Sequence, residues 1–424
     1  MAAGAARLVG RLGLLVGRRA RNYGRMGYSD SAPSRGPEYT TDLAEATVSL
    51  TSKQPLPVYR VLSAGGEMLD PSQDPGLPGE TVVRMYEKMV GLCQVDQQLY
   101  KAQRMGLISF YMTSYGEEAT HFGSAAALHE KDMVYAQYRE PGVLLWRGFS
   151  LDQMVDQCFN NRHDLAHGRQ MPVHYGSPEH YFQFISSPLA TQMPQAPGYA
   201  HGLKQAGSDN CVIVYFGDGA AQEGDAHAAM NFAATLKCPV IFFCRNNGYA
   251  ISTPVEENYK GDGLAQRALG YGMEGYRVDG NDVLAVYNVT KKARELVVDE
   301  GAPVLIEAMT YRLGSHSTSD DQTGYQDMSE VKDWRERYFP RDRLRGYLQS
   351  QGLWDQEKED ELVSVTNETI RSAIKRARAE KKPSLEHMFT DVYDVPPLRL
   401  RRQKEEVQAM VAKYPEHFPT ASHE

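Results

Sequence analysis

Short apolar runs alternate with amphipathic stretches between residues 212 and 309 of the chain. The apolar runs predict buried strands of a parallel sheet at residues 212–216, 240–244, 275–278 and 304–309. Apolar residues with helical spacing predict helices over 221–237, 263–271 and 282–299. Because strands and helices alternate, we expect an α/β fold: a parallel sheet with helices on both faces.

The pattern changes on both sides of this unit. Helical spacing of apolar residues predicts one helix over 81–105 and another over 117–128, whereas 157–197, rich in Gly, Pro and His, is predicted to be a loop. The predicted organisation is an extended arm at 30–80, an α/β domain at 81–326 and a charged C-terminal helical region at 327–424. We expect those last helices to pack on the outside of the domain or on a partner.

Composition excludes several classes of protein. The chain has 424 residues and no run of 18 apolar residues, so no membrane-spanning helix is expected. Its five cysteines are odd in number and form no C-x-x-C pair, which argues against a disulfide scaffold or a zinc ribbon. We expect buried, reduced thiols instead.

Charge is distributed unevenly along the chain. Residues 1–29 contain six arginines and no acidic residue, although the whole chain has a net charge of −8. Without these arginines, 40 basic residues stand against 54 acidic ones, so residues 30–424 have a net charge of −14. Nucleic acid is therefore not an expected partner. An Arg-rich, acid-free leader is typical of a mitochondrial transit peptide, here residues 1–29, and the alternative, a secretory signal, would have an apolar core interrupted by arginines.

Polar residues follow two consecutive predicted strands. Gly217-Asp218-Gly219 comes after the first strand, and Asn246-Asn247 comes after the next. The carboxyl ends of parallel strands meet at one edge of the sheet, where ligands bind. A helix predicted to begin near Ala221 would point its N-terminus at the same place and favour a phosphate. A Mg²⁺ ion with a phosphate-bearing ligand is the simplest interpretation; an N-cap aspartate and an Asn-Gly turn are the structural alternative.

The same tripeptide occurs again at Gly261-Asp262-Gly263. No apolar strand precedes this second copy and no Asn-Asn follows it. We therefore predict a turn and the start of a helix there, without a metal.

The first copy resembles the thiamine-diphosphate motif, which runs from Gly-Asp-Gly to Asn-Asn. Further phrases in the chain extend the resemblance: Ile108-Ser109-Phe110-Tyr111, Gly116-Glu117-Glu118, Ala136-Gln137-Tyr138-Arg139-Glu140, Gly168-Arg169-Gln170-Met171-Pro172-Val173-His174, Ser186-Ser187-Pro188-Leu189-Ala190-Thr191-Gln192, and Tyr311-Arg312 with His316-Ser317-Thr318-Ser319-Asp320-Asp321. From about residue 55 to 350, the chain is similar to alpha subunits of the first component of the 2-oxo acid dehydrogenases, and among these to the branched-chain members. The resemblance implies the thiamine-diphosphate-binding fold, of which this chain supplies the diphosphate-binding domain.

The resemblance also implies roles for individual residues. Mg²⁺ (or Mn²⁺) would be held by Asp218, Asn247 and the backbone carbonyl of Tyr249. We associate the acid position with Glu in branched-chain members, so Asp218 keeps the charge on a shorter side chain. The residues implied to contact thiamine diphosphate are Gln137, Tyr138, Arg139, Ser187, Leu189, Gly217, Gly219, Ala220, Arg245 and His316. Alone, His316 could be a surface histidine and Ser187-Pro188 a turn.

Two further sites follow from the same resemblance. A K⁺ ion that orders the cofactor loop is implied at Ser186, Pro188, Thr191 and Gln192. Ser317 matches an inhibitory phosphorylation site, at which a phosphate would add about two negative charges beside the cofactor's diphosphate. The family's second phosphoserine position falls on Asp327, so one effective site is expected.

The implied activity is the decarboxylation of a small 2-oxo acid, followed by acyl transfer to a lipoyl group, with the thiazolium ring as electron sink. His316 is the expected catalytic residue, either orienting intermediates or transferring a proton. A beta subunit would supply the carboxylate that acts on the aminopyrimidine, in a heterotetramer of two alpha and two beta subunits. The other implied partners are a lipoyl-bearing acyltransferase, a regulatory kinase and a phosphatase, in the mitochondrial matrix.

Two alternatives remain open. A pyruvate-specific alpha subunit would share the cofactor and the partners, although phrases such as Ala250-Ile251-Ser252-Thr253-Pro254 favour the branched-chain type. A non-catalytic homologue would have lost its metal and phosphate residues, yet Asp218, Asn247, Arg139 and Arg245 are all present.

Overall fold

The computed structural model describes residues 55–418 and 420–424 of the chain. The predicted transit peptide (1–29) and the first part of the arm lie outside the described residues. No helix within the described ranges is both long and apolar enough to cross a bilayer.

A parallel sheet of five strands forms the centre of the structure. Its strands are β1 (Met133–Tyr135), β2 (Val212–Gly217), β3 (Val240–Asn246), β6 (Glu274–Asp279) and β7 (Val304–Met309). They lie in the order β1-β2-β3-β7-β6, and every pair is parallel. Two short strands, β4 (Tyr249–Ala250) and β5 (Thr253–Pro254), form a separate antiparallel ribbon. The four predicted sheet strands are therefore confirmed.

Helices cover both faces of the sheet, and alternate residues of each strand face opposite apolar clusters. Ile213 and Tyr215 of β2 belong to one cluster, whereas Val214 and Phe216 belong to the other. The helices are α1 (Gly79–Arg104), α2 (Glu118–Ala127), α3 (Pro141–Trp146), α4 (Leu151–Phe159), α5 (Gln192–Gln205), α6 (Gly224–Leu236), α7 (Val255–Asn258), α8 (Arg267–Tyr271), α9 (Val283–Glu300), α10 (Met328–Arg337), α11 (Pro340–Ser350), α12 (Gln356–Ala379) and α13 (Leu398–Lys413). Short 3₁₀ helices lie at Pro71–Gln73, Pro178–His180, Ala220–Gln222, Gln322–Gly324, Leu385–Phe389 and Thr420–Ser422.

Three predictions need correction. The segment 157–197 contains the start of α5, which tolerates Pro197 because Met193, Ala196, Pro197 and Ala200 form its buried face. The helix predicted over 221–237 begins at Gly224, after a 3₁₀ turn. The helix predicted over 263–271 is the short α8, because a turn occupies residues 261–263 and beyond.

Strand β1 did not follow from the sequence. It has three residues and begins directly after the turn at His129–Asp132, where Asp132 N–H donates to His129 O. Its pairing with β2, Met133 opposite Val212, makes it a strand. A strand this short is recognised by its partner rather than by its own pattern.

The described part of the arm lies along the outer edge of the sheet. Tyr59 forms a parallel bridge with Val278 of the edge strand β6. Val61 and Leu62 are fully buried, and their N–H groups donate to Asp282 Oδ2 at 2.8 and 2.6 Å. The same carboxylate caps α9, since Oδ1 accepts from two N–H groups of its first turn. The arm is thus part of the packed domain from about residue 56.

The second Gly-Asp-Gly anchors this arm. Asp262 Oδ2 accepts from Leu56 N–H at 2.6 Å, and Arg277 pairs with the same carboxylate at 3.0 Å. Arg277 also bonds Glu307, a fully buried residue in the middle of β7 that accepts from Asn246 at 2.9 Å. As predicted, the segment is a turn, but its carboxylate has a structural role.

Two of the C-terminal helices pack on the domain: α11 and α12 pack on α1, and α12 also packs on α4. Glu359 on α12 is buried and accepts from Tyr86 Oη at 2.7 Å and from Trp354 Nε1 at 3.0 Å. This placement agrees with the predicted outer position, whereas α13 buries none of its residues.

Candidate active site

A cavity of about 400 Å³ lies at the carboxyl ends of β2 and β3. It gathers every residue predicted to contact the cofactor or Mg²⁺: Gln137, Tyr138, Arg139, Ser187, Leu189, Gly217, Asp218, Gly219, Ala220, Arg245, Asn247, Tyr249 and His316. Segments from distant parts of the sequence meet here because parallel strands end at one edge of the sheet. The residues predicted for K⁺ and phosphorylation do not line it.

Asp218 is the buried carboxylate of the cavity. It is 1% exposed, and its Oδ2 has no hydrogen-bond partner among the described residues. Burial raises the pKa of this carboxyl to about 6. A buried oxygen without a partner is unfavourable, and a bound cation would supply the missing interaction.

Asn247 and Tyr249 lie across the cavity edge from the end of β2. Asn247 Nδ2 donates to Glu117 at 2.9 Å, and its Oδ1 accepts from Tyr249 N–H at 3.2 Å. Gly248 between them has φ +86°, a conformation that glycine adopts readily. The set of ligands predicted for Mg²⁺ therefore has one carboxylate, one amide and one backbone carbonyl. Consistent with this, no cluster of three or more His, Cys, Asp or Glu that could hold a metal occurs at residues 55–418 and 420–424.

Arg245 ends β3 between two fully buried glutamates. Its Nε bonds Glu140 and its Nη1 bonds Glu117, while the guanidinium lines the cavity. Burial alone would raise the pKa of Glu117, but Arg245 and Arg139 reverse this effect and lower it, so the carboxylate is ionised. The sequence assigns no role to Glu117 and Glu140, whereas the structure shows that both carboxylates bind Arg245.

Arg139 joins the cavity floor to the loop of His316. Its Nη2 donates to His316 O at 2.9 Å and lies 3.3 Å from His316 Nδ1, and its Nη1 donates to Thr113 O at 2.6 Å. Burial lowers the pKa of His316 to about 3, and the positive charges of Arg139 and Arg312 add to the effect. Tyr138 places its ring edge-on to this imidazole.

Arg312 lines the cavity but did not follow from the sequence as a site residue. Its Nη2 donates to Ile251 O at 2.6 Å and to Tyr325 Oη at 2.7 Å, and Nη1 lies 3.5 Å from Tyr249 O. With Arg139 and Arg245, it gives the cavity three buried guanidiniums, which favour an anionic ligand. The sequence offered one indication of this role, because Arg312 belongs to the phrase Tyr311-Arg312, one of those that carry the family resemblance.

Glycines allow the chain to approach closely at the end of β2. A Cβ on Gly219 would lie 2.8 Å from the side chain of Ala250. Gly217 N–H donates to Gln137 Oε1 at 2.8 Å. This bond joins the end of β2 to the segment of Gln137, which is also predicted to contact the cofactor. Ala220 opens the 3₁₀ turn that precedes α6. The N-terminus of α6 lies four residues farther on, at Gly224, so the helix start predicted near Ala221 is a 3₁₀ turn instead.

The predicted K⁺ ligands lie on the segment that leads into α5, whose first residue is Gln192. Thr191 Oγ1 donates to Pro188 O at 3.1 Å, and Gln192 Nε2 donates to Tyr215 O at 2.9 Å. Ala190 between them has φ +61°, which is strained for alanine. The turn, which also contains Ser186, offers hydroxyl, amide and carbonyl oxygens, the ligand types of a hard cation.

Ser317 is buried rather than solvent-facing. It is 7% exposed, and its Oγ accepts from Ser319 N–H at 3.2 Å. Its neighbour Thr318 exchanges hydrogen bonds with Tyr111, and His316 N–H donates to Asp320 at 2.7 Å. A phosphate on Ser317 does not fit without displacement of this loop.

The chain matches a known protein family over residues 86–386, described as the dehydrogenase E1 component. The chain belongs to this family. Its members depend on thiamine diphosphate, which bears out the family and fold expected from the motif.

Curated relatives of this E1 component are similar over most of their length. They include proteins from Caenorhabditis elegans (54% identity, 86% of this chain, 84% of the relative), Homo sapiens (54%, 86% and 82%) and Dictyostelium discoideum (51%, 90% and 86%). Each is named 2-oxoisovalerate dehydrogenase subunit alpha, mitochondrial. These names bear out the expected resemblance to the branched-chain members and the mitochondrial location.

Proposed function

We propose that this chain is the alpha subunit of 3-methyl-2-oxobutanoate dehydrogenase (2-methylpropanoyl-transferring), which decarboxylates branched-chain 2-oxo acids oxidatively. The observation that carries the proposal is the buried Asp218 carboxylate, left with a partner-free oxygen beside three guanidiniums. That combination suits a Mg²⁺–diphosphate pair. Similarity to 2-oxoisovalerate dehydrogenase alpha subunits supports the substrate class.

Within this proposal, Asp218, Asn247 and the Tyr249 carbonyl would hold Mg²⁺, and Arg139 and Arg245 would bind the diphosphate. Thiamine diphosphate, when bound, would supply a nucleophilic carbon and a ring that can accept the electron pair released by decarboxylation. Glu117 and Glu140 keep Arg245 extended toward the cavity, because each holds one nitrogen of its guanidinium.

His316 orients the substrate as a hydrogen-bond donor. Since Arg139 Nη2 can only donate, His316 Nδ1 accepts, and the proton of the neutral ring lies on Nε2. With a pKa of about 3, the imidazole stays neutral at working pH. Of the two roles expected for His316, orientation of substrate oxygens by Nε2–H is therefore the better supported.

A K⁺ ion bound by Ser186, Pro188, Thr191 and Gln192 would order the turn that leads to Ser187 and Leu189. Partners complete the proposed enzyme. A beta subunit supplies the second carboxylate, in a heterotetramer of two alpha and two beta subunits, and a lipoyl-bearing acyltransferase receives the acyl group. The enzyme works in the mitochondrial matrix.

The test is co-expression with a beta subunit and assay of 3-methyl-2-oxobutanoate against pyruvate. We expect turnover that requires thiamine diphosphate and Mg²⁺, prefers the branched substrate and disappears in D218A. Faster turnover of pyruvate would point to the pyruvate-specific alternative. Full turnover by the alpha chain alone would overturn the shared active site.

Regulation at Ser317 is part of the proposal, with a kinase and a phosphatase as partners. A phosphate there would displace the loop of His316 and repel the diphosphate. We expect S317E to lower cofactor affinity and activity at least about tenfold by like-charge repulsion. S319E is the matched control, because Ser319 lies two residues away in the same loop and is exposed. Equal effects of the two variants would contradict a specific role for Ser317.

A further inference from the structure

Asp96 is a buried carboxylate on α1 that has no part in the proposed chemistry. It is 1% exposed and does not line the cavity. Its Oδ1 accepts from Tyr111 Oη at 2.8 Å, and its Oδ2 accepts from Ser114 N–H at 2.6 Å. Burial raises the pKa of this carboxyl to about 7, although the bonds from Ser114 and Tyr111 oppose the shift, so the group is ionised at pH 8.

The segment 111–116, which leads from α1 to α2, connects this carboxylate to Arg139. Arg139 Nη1 donates to Thr113 O at 2.6 Å. The Thr113 carbonyl and the Ser114 N–H group belong to the same planar peptide unit, and they lie on its opposite edges. Asp96 therefore binds one edge of a rigid group whose other edge binds the guanidinium. Since Arg139 Nη2 donates to His316 O at 2.9 Å, the contact continues to the loop of His316.

The same segment holds the loop of His316 at two points. Thr318 N–H donates to Tyr111 O at 3.0 Å, and Tyr111 N–H donates to Thr318 Oγ1 at 3.2 Å. On the other side of His316, Leu313 N–H donates to Tyr115 O at 3.1 Å. Tyr111 thus binds the carboxylate of α1 with its side chain and the loop with its backbone.

We propose that Asp96 is a positioning residue, which fixes the segment 111–116 and through it the Arg139 guanidinium and the loop of His316. The inference rests on the proposed function, in which Arg139 binds the diphosphate and His316 orients the substrate. Loss of the Asp96 contacts should therefore impair both cofactor binding and substrate orientation, because displacements of about 1 Å matter at a catalytic site.

The test uses three variants and one matched control, each in the complex with the beta subunit at pH 8. Y111F removes one hydroxyl group and keeps the ring. D96L removes both acceptor atoms. D96N is the conservative variant, because its oxygen can accept from Ser114 N–H and its amide can donate to the Tyr111 oxygen. Y86F is the control: Tyr86, also buried on α1, donates to Glu359 of α12 at 2.7 Å, and neither residue lines the cavity.

Hydrogen exchange of residues 313–320, measured by mass spectrometry without cofactor, reports on the loop directly. We expect exchange to be at least about 10-fold faster in Y111F and D96L, because one hydrogen bond to a charged group corresponds to about this factor in an equilibrium constant. The Kd of thiamine diphosphate with Mg²⁺ should rise by a similar factor. D96N should stay within about threefold of the wild type in both measurements.

Assays at saturating cofactor separate positioning from stability. A variant that is only less stable recovers at saturating ligand, because binding favours the folded complex. We expect kcat/KM for 3-methyl-2-oxobutanoate to remain about 10-fold low in Y111F, since His316 is still misplaced. Y86F should reach the wild-type kcat/KM, although its midpoint of thermal unfolding falls as much as that of Y111F.

The inference is overturned if Y111F and D96L keep the wild-type exchange of residues 313–320, if saturating cofactor restores their kcat/KM, or if Y86F is equally impaired. The test does not depend on assembly of D96L, because Y111F keeps the aromatic ring in the core. Failure of the wild type to bind thiamine diphosphate would instead overturn the proposed function, and the exchange result would still decide the role of Asp96.

Discussion

The two Gly-Asp-Gly segments, at residues 217–219 and 261–263, place their aspartates in opposite environments. Asp218 is almost fully buried, yet one carboxylate oxygen has no partner within the described part of the chain. Asp262 is more exposed, yet Arg277, Leu56 N–H and Gln266 satisfy its carboxylate. A carboxylate that only stabilises the fold is satisfied by the fold. A buried carboxylate with an oxygen that accepts no hydrogen bond destabilises the fold, and a bound ligand at that oxygen would explain why it is there.

The strongest test of this comparison is the loss of each carboxylate in turn. D218A should weaken Mn²⁺ and thiamine-diphosphate binding by more than about 100-fold, since even outer partners of a metal contribute 10- to 100-fold. D262A should leave both affinities within about threefold. Electron paramagnetic resonance measures the affinity for Mn²⁺, and calorimetry measures the affinity for thiamine diphosphate. Similar losses in both variants would remove the distinction.

The reverse should hold for stability. D262A removes the acceptor of Leu56 N–H and of Arg277 Nη1, while Glu307 still pairs with Arg277, so we expect the free energy of unfolding to fall by about 1–3 kcal/mol. D218N should not lower the stability of the metal-free protein, because it replaces a buried, unpaired carboxylate by a neutral amide. Urea unfolding of the metal-free complex, followed by Trp fluorescence, checks both signs. A less stable D218N would mean that Asp218 is already satisfied.

Acid should affect the first segment in a specific pH range. The pKa of Asp218 is raised from 3.8 to about 6, so protons compete with the cation below pH 6. Metal affinity should stay level above pH 7 and fall by up to about tenfold per pH unit below 6. In the metal-free protein, Asp218 favours folding below its ordinary pKa, and this contribution is lost as the pH rises through 6. D218N is the control, and it should remove the proton competition from metal binding at this position.

Much of this comparison was accessible from the sequence. The strand–Gly-Asp-Gly–helix–strand–Asn-Asn order placed Asp218 and Asn247 at one sheet edge, and the absence of a strand before Gly261 excluded the second copy. Strand β1 was missed because it exists through its pairing with β2. The buried Glu117 and Glu140 were not assigned because the need for them appears only once Arg245 lies between them.

Interactions between distant residues account for the other omissions. Glu307 interrupts an apolar strand, and its reason is Arg277, which arrives from the neighbouring strand. His174 and Ser187, thirteen residues apart in the sequence, are brought into hydrogen-bond contact only by the fold. Pattern and spacing predict the structure of a single segment. They do not predict a buried ion pair, because its two residues lie far apart in the sequence.

The anchoring of the arm at Asp262 would limit any N-terminal processing of this chain. Because Leu56 N–H, Val61 and Leu62 are already bonded or buried in the domain, any peptidase that trims the N-terminus must cut upstream of them. A shortened recombinant chain that begins after Leu62 would expose the edge of β6 and leave Asp282 without two donors. The residues that the domain needs therefore begin where the arm meets the edge of the sheet.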